Sequence, residues 1–127
     1  MSTHAVDVIL PCLDEAAALP AVLSAMPDEY RAIVVDNGST DGSPRVAAEF
    51  GATVLYQPRR GYGAAVHTGL ENATAGTVGF LDADGSLDPR ELPRLVDPVR
   101  SADADLAVGR RVPAPRGVMP WHARAGN

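Results

Sequence analysis

The stretch Thr77-Val78-Gly79-Phe80-Leu81-Asp82-Ala83-Asp84-Gly85 decides how this chain is read. Its first five residues are short, apolar and partly β-branched, as in a buried strand. They run directly into two carboxylates one residue apart. Such a pair can hold a hard divalent cation and leave coordination positions for phosphate oxygens. The cation would offset pyrophosphate charge in a reaction that releases it. A calcium-hand reading fails, because Gly85 stands at the fourth loop position instead of the sixth and Pro93 stands where a Glu is needed.

The same arrangement recurs on either side. Val6–Leu10, Ala32–Val35, Thr53–Tyr56 and a fifth candidate, Leu106–Val108, are short apolar runs. Pro11 is expected to stop the first. Between the runs lie helical segments. Asp14-Glu15 opens one that reaches about Met26, its acids suiting the helix dipole and its regular turns beginning near Pro20. Ser43-Pro44 reads as an N-cap followed by proline, with Gly51 after the last apolar residue. Ala64 to about Ala75 forms a third helix, and Asp88-Pro89 caps a fourth that runs to about Arg100. Alternating strands and helices mean an α/β domain with a mostly parallel sheet and helices on both faces. Ligands of such sheets bind beyond the carboxyl ends of the strands. Asp14-Glu15, Asp36-Asn37, Arg59-Arg60 and Asp82–Asp84 each follow a strand, and together they describe one crevice rim.

Asp36 is the second chemical signal. An ionised acid there can accept a hydrogen bond from a ring N–H of uracil or guanine, while a turn acid is the structural alternative. Gly61-Tyr62-Gly63 follows the third strand and opens a helix. It resembles a dinucleotide fingerprint, but Val66 occupies the third glycine position, and a tight turn with close backbone approach explains the glycines.

The chain has 127 residues, 46% of them hydrophobic and 21% charged, which suits a globular domain. No apolar run approaches the roughly 20 residues of a membrane span, and the start lacks a secretory pattern, which points to the cytosol. One cysteine, Cys12, excludes an internal disulfide. All eleven basic residues are arginine, which excludes a Walker or Schiff-base lysine. Residues 1–109 carry seven arginines and all sixteen acids, whereas residues 110–127 carry four arginines and no acid. The acidic balance argues against nucleic-acid binding. The basic tail suits a local anion such as phosphate, or a solvated surface.

As a set, Val8–Glu15, Val34–Gly42, Gly61–Ala65 and Asp82–Gly85 resemble the family 2 glycosyltransferases in order and spacing. The segment Val108-Gly109-Arg110-Arg111, with Trp121, Arg124 and Asn127, is similar to the branch of polyprenol-phosphate mannose and glucose synthases. The resemblance implies a GT-A fold and an inverting, metal-dependent glycosyltransferase. Its donor would be a nucleoside-diphosphate sugar of UDP or GDP type, its cofactor Mg2+ or Mn2+, and its candidate acceptor a polyprenyl phosphate. It also implies that Pro11, Leu13 and Glu15 line the nucleotide and that Asp36 reads the base. Asp82 and Ala83 would follow the ribose and diphosphate, Asp84 with Asp82 would ligate the metal, and Arg111 and Arg124 would contact phosphate. Family members often carry Tyr at Leu13, Asn at Asp14 and, in some, Gln at Ser86.

The family continues past the length seen here. Residues 1–112 therefore read as the nucleotide-sugar-binding domain and 113–127 as a basic, Pro/Gly-rich lead into an acceptor half that would carry any catalytic base. The first reading is thus an enzyme, or the donor half of one; the alternative is a nucleotide-sugar-binding module without turnover of its own. An apolar side left uncovered would in either case favour self-association. Any membrane association, at the cytoplasmic face, would depend on that missing part. A flavodoxin-like or NAD-binding domain is the competing α/β class; Val66 and the metal-type acids count against it.

Overall fold

The computed structural model describes residues 4–100 and 107–109. Five strands, β1 (Val6–Cys12), β2 (Tyr30–Asp36), β3 (Thr53–Tyr56), β4 (Thr77–Leu81) and β5 (Ala107–Gly109), form one sheet in the order β3-β2-β1-β4-β5. Every pairing is parallel. Four α-helices connect them: α1 (Leu19–Ser24), α2 (Ser43–Glu49), α3 (Tyr62–Asn72) and α4 (Leu92–Arg100), the last preceded by a 3-10 turn at Pro89–Glu91.

Side-chain alternation along β1 sorts the core into two layers. Val6, Val8, Leu10 and Cys12 face a cluster with Leu19 and Val22 of α1, Ala47 of α2, and Leu92 and Val96 of α4. Ile9 points the other way and joins Ile33, Val35, Phe80 and Ala65 of α3. The chain steps outward from β1 to β3, then crosses back over the sheet to β4. The carboxyl ends of β1 and β4 therefore sit side by side at a topological switch point, where such sheets open a crevice.

Several boundaries differ from the sequence reading. β1 runs through Pro11 to Cys12. Its ladder with β4 ends at Ile9, and Cys12 already faces β2, its carbonyl accepting from the Asn37 amide. The missing N–H of Pro11 thus falls on the side where no ladder remains. α1 begins at Leu19 with no acid in its first turn, so Asp14 and Glu15 belong to the loop before it and do not serve its dipole. Ser43 is not the cap of α2: Gly42 is, at φ 84°, and Ser43 is the first helical residue, fully buried. α3 starts at Tyr62, earlier than expected, and ends at Asn72 because the Asp7 carboxylate captures the next amides, Thr74 (2.7 Å) and Ala75 (2.9 Å). Asp88 caps its helix as expected, accepting from the Arg90 amide at 2.9 Å. Leu106 and residues 110–127, with Arg111, Trp121, Arg124, Asn127 and the boundary at 112, lie outside the described residues.

Candidate functional site

At the switch point lies a cavity of about 400 Å³, within the range of small-molecule sites. The end of β1 and its following loop supply Pro11, Cys12, Leu13 and Glu15; the end of β4 supplies Asp82, Ala83 and Asp84. Six residues singled out from sequence thus share one wall system. Asn37, Arg60, Gly61 and Tyr62 complete the lining. Their role was legible only as a cluster at a strand end, because nothing in the local sequence says which loop a side chain will meet.

The acids converge. Burial pushes the Glu15 carboxyl above its ordinary range, and the charges of Asp84, Asp41, Asp14 and Asp82 push it further. Asp84 is held by the Ser86 amide, which donates to its Oδ1 at 2.9 Å. Among the described residues, no three His, Cys, Asp or Glu side chains form a protein-only metal cage. The donor set on offer is a pair of carboxylates at a polar rim. Its hard oxygens suit Mg2+ or Mn2+, whose remaining positions are normally filled by water and substrate phosphate.

Asp36 is buried at the end of β2, beside the lining residue Asn37. Its Oδ2 accepts from the amides of Gly38 (3.1 Å) and Ser39 (3.0 Å). Its Oδ1 is buried and has no hydrogen-bond partner among the described residues. A carboxylate oxygen out of water and unpaired is costly, so it is a place for a ligand donor.

Asn37 organises the glycine loop. Its Nδ2 donates to the carbonyls of Gln57 (2.7 Å) and Arg59 (2.9 Å), and its Oδ1 accepts from the Gly61 amide (3.0 Å). Gly61 needs its glycine, at φ 123°. Gly63 does not, since it has no positive φ and an added Cβ would meet nothing within 4 Å. Backbone conformation therefore explains the first of the two glycines, and close approach within the chain explains neither.

The β1–α1 loop is fastened from the β2–α2 loop. The amide of Asp14 donates to Ser39 Oγ (2.8 Å), that of Glu15 to Ser43 Oγ (2.9 Å) and that of Ala16 to Asp41 Oδ2 (3.0 Å). In return the Thr40 amide donates to Asp14 Oδ1 at 2.7 Å. Asp14 is the one non-glycine residue with positive φ among the described residues, at 56°.

The profile of the family described as glycosyl transferase family 2 matches residues 7–126. The chain belongs to this family. It is 52% identical over 126 residues to an uncharacterized glycosyltransferase of Mycobacterium bovis, an alignment covering 99% of this chain and 57% of that protein. It is 36% identical over 106 residues to the undecaprenyl-phosphate 4-deoxy-4-formamido-L-arabinose transferase of Aeromonas hydrophila, covering 72% of this chain and 32% of that protein. Among solved structures it is similar to glucosyl-3-phosphoglycerate synthase of Mycobacterium tuberculosis in complex with Mn2+, UDP and glucosyl-3-phosphoglycerate. That match has TM-score 0.66 and 28% identity, and covers 76% of this chain and 39% of that one. The fold is therefore the GT-A fold of family 2 glycosyltransferases. The chain spans little more than half the length of its mycobacterial relative. No helix among the described residues is long and apolar enough to cross a membrane.

Proposed function

We propose that this chain is the donor-binding part of an inverting family 2 glycosyltransferase. It takes a UDP- or GDP-type sugar and serves transfer to a phosphate-bearing acceptor, with polyprenyl phosphate as the first candidate. The observation that carries this reading is the single cavity that brings Pro11, Leu13 and Glu15 together with Asp82, Ala83 and Asp84 at the switch point. Asp84 and Asp82 would hold Mg2+ or Mn2+, which offsets the diphosphate charge when bound. The structurally similar mycobacterial synthase, crystallised with Mn2+ and UDP-glucose, supports that assignment.

The chain's own residues have separable tasks in this reading. The unpaired Asp36 Oδ1 accepts the ring N–H of the base. Pro11, Leu13 and Glu15 flank the nucleotide, and the buried Ala83 keeps the wall low beside ribose and diphosphate. Arg111 and Arg124 contact phosphate. A phosphate acceptor is already an anion and needs no general base. The undecaprenyl-phosphate relative and the synthase with its phosphorylated product both support a phosphate-bearing acceptor.

A second reading is a nucleotide-sugar-binding module without turnover of its own, favoured by the 57% coverage of the mycobacterial relative. A thermal-shift titration with UDP-, GDP-, TDP- and ADP-sugars, with and without Mn2+, tests the donor site. Ligand that binds the native state raises the melting temperature. The expected result is a Mn2+-dependent rise with a UDP- or GDP-sugar, abolished by Asp84→Ala. A folded chain that responds to none of them would overturn the proposal. Transfer of radiolabelled sugar to a polyprenyl phosphate then separates enzyme from module.

A further inference from the structure

We infer that the β2–α2 loop is the positioning element of the pocket, with Ser39, Asp41 and Ser43 setting where the Leu13–Glu15 wall stands. This rests on the donor-site reading and adds residues that touch no ligand in it.

Residues 13–18 lie between the end of β1 and the start of α1, so their amides have no ladder and no helix to join. The side chain of Leu13 adds little packing, being 42% exposed. The charge of the segment works against it, because Glu15 shares the cavity with Asp84 and Asp82 and feels the charges of Asp41 and Asp14 as well. On its α1 side the Glu15 carbonyl accepts from the Ala18 and Leu19 amides (3.1 and 3.0 Å). Towards the β2–α2 loop, three consecutive amides, those of Asp14, Glu15 and Ala16, are each taken by a side chain of residues 39–43. Ser43 is buried at the start of α2, and its hydroxyl also donates to Asp41 Oδ1, which orients both acceptors at once. The loop itself is anchored at Asp36, whose Oδ2 binds the Gly38 and Ser39 amides. From the same loop, Asn37 holds another lining residue, Gly61, by accepting from its amide. Two parts of the cavity lining, residues 13–15 and Gly61, thus hang from residues 36–43, and the loop sets where they stand relative to each other.

Asp41 and Ser39 are the positions to test, since Asp41 is exposed, Ser39 only half-buried, and neither lines the cavity. Asp41→Asn is nearly isosteric but leaves one carbonyl oxygen where the latch uses two acceptors. Ser39→Ala removes the acceptor for Asp14, and Ser39→Thr restores it. Amide exchange by NMR at residues 14–16 reads the latch directly. Titration with UDP or GDP in the presence of Mn2+ reads its consequence, and melting temperature controls for folding. The expected result is protected amides at 14–16 in the wild type. Asp41→Asn and Ser39→Ala should speed exchange there and weaken nucleotide affinity, Asp41→Asn by roughly ten-fold, the size of a charge-assisted hydrogen bond, and Ser39→Ala, which removes a neutral one, by about five-fold. Melting should stay near wild type, and Ser39→Thr should recover both readouts. Fast exchange at 14–16 in the wild type would overturn the latch. Wild-type binding that the variants share unchanged, or lose only along with their fold, would overturn its positioning role. A wild type with protected amides that binds no nucleotide would sink the donor reading, and with it the purpose assigned here, while leaving the latch as pure architecture.

Discussion

Asp36 divides its carboxylate between two jobs. One oxygen closes its own loop, and the other is buried with no partner among the described residues; Asp36 does not itself line the cavity, though its neighbour Asn37 does. Asp36→Asn keeps one oxygen for the Gly38 and Ser39 amides and turns an NH2 group toward the ligand, where a ring N–H would meet a donor. Isothermal titration should show nucleotide affinity falling at least about ten-fold, since hydrogen bonds to charged groups contribute ~1.5–3 kcal/mol. Asp36, Asp82 and Asp84 were legible in the sequence because each follows an apolar run at once, and a strand end is a local property. Ser43 was not. Ser-Pro is a fair cap signal, but this hydroxyl serves Glu15, 28 residues away, and no local pattern records that.

At the scale of elements, α3 shows how closely a helix can lie on the sheet. A Cβ at Gly69 would stand 2.5 Å from Ile9 Cγ2 and 2.9 Å from its Cγ1. Gly69→Ala must therefore push the helix off β1. Despite its better helix propensity, the variant should lose about 1–3 kcal/mol in denaturant melts, the usual range for overpacking. Gly69→Ala in an Ile9→Ala background should lose less than the sum of the two single changes. Strand positions were readable from apolar runs, whereas element ends were decided by tertiary partners. Pro11 stays in β1 because the neighbouring ladder has already ended, and α3 stops where Asp7 takes the next amides.

At the scale of the molecule, Asp7 ties three parts of the fold together at the end of the sheet opposite the cavity. It is fully buried in β1, pairs with Arg31 of β2 through two hydrogen bonds (2.9 and 3.1 Å), and caps the turn between α3 and β4. Burial opposes its ionisation more than any other single influence. The Arg31 guanidinium and the Ala75 and Thr74 amides together still hold its carboxyl below the usual carboxylate range. A folded-state value below the unfolded one stabilises the native chain above the unfolded value, and that stability drains away as pH falls through the folded one. Wild-type melting temperature should therefore decline as pH drops below about 4. Asp7→Asn should be less stable at neutral pH by about 3 kcal/mol, because Arg31 keeps its weak bonds to the Asn72 carbonyl and Thr74 hydroxyl but loses its counter-charge, and should show a weaker acid dependence. Chemical denaturation across the pH series checks both.

By itself the sequence determined the α/β class, the strand order along the chain and the acids that crown the strands, because periodicity and strand-end chemistry are short-range. It also carried the family likeness that the comparisons show. Only the tertiary structure decided that Asp36 keeps one oxygen unpaired, that Asn37 and Ser43 hold Gly61 and Glu15 in the lining of one cavity, and that Asp7 locks the far end. Each of these depends on which loops meet across a sheet whose neighbours are distant in sequence, and a hydrogen bond is set by that meeting rather than by the residue that makes it.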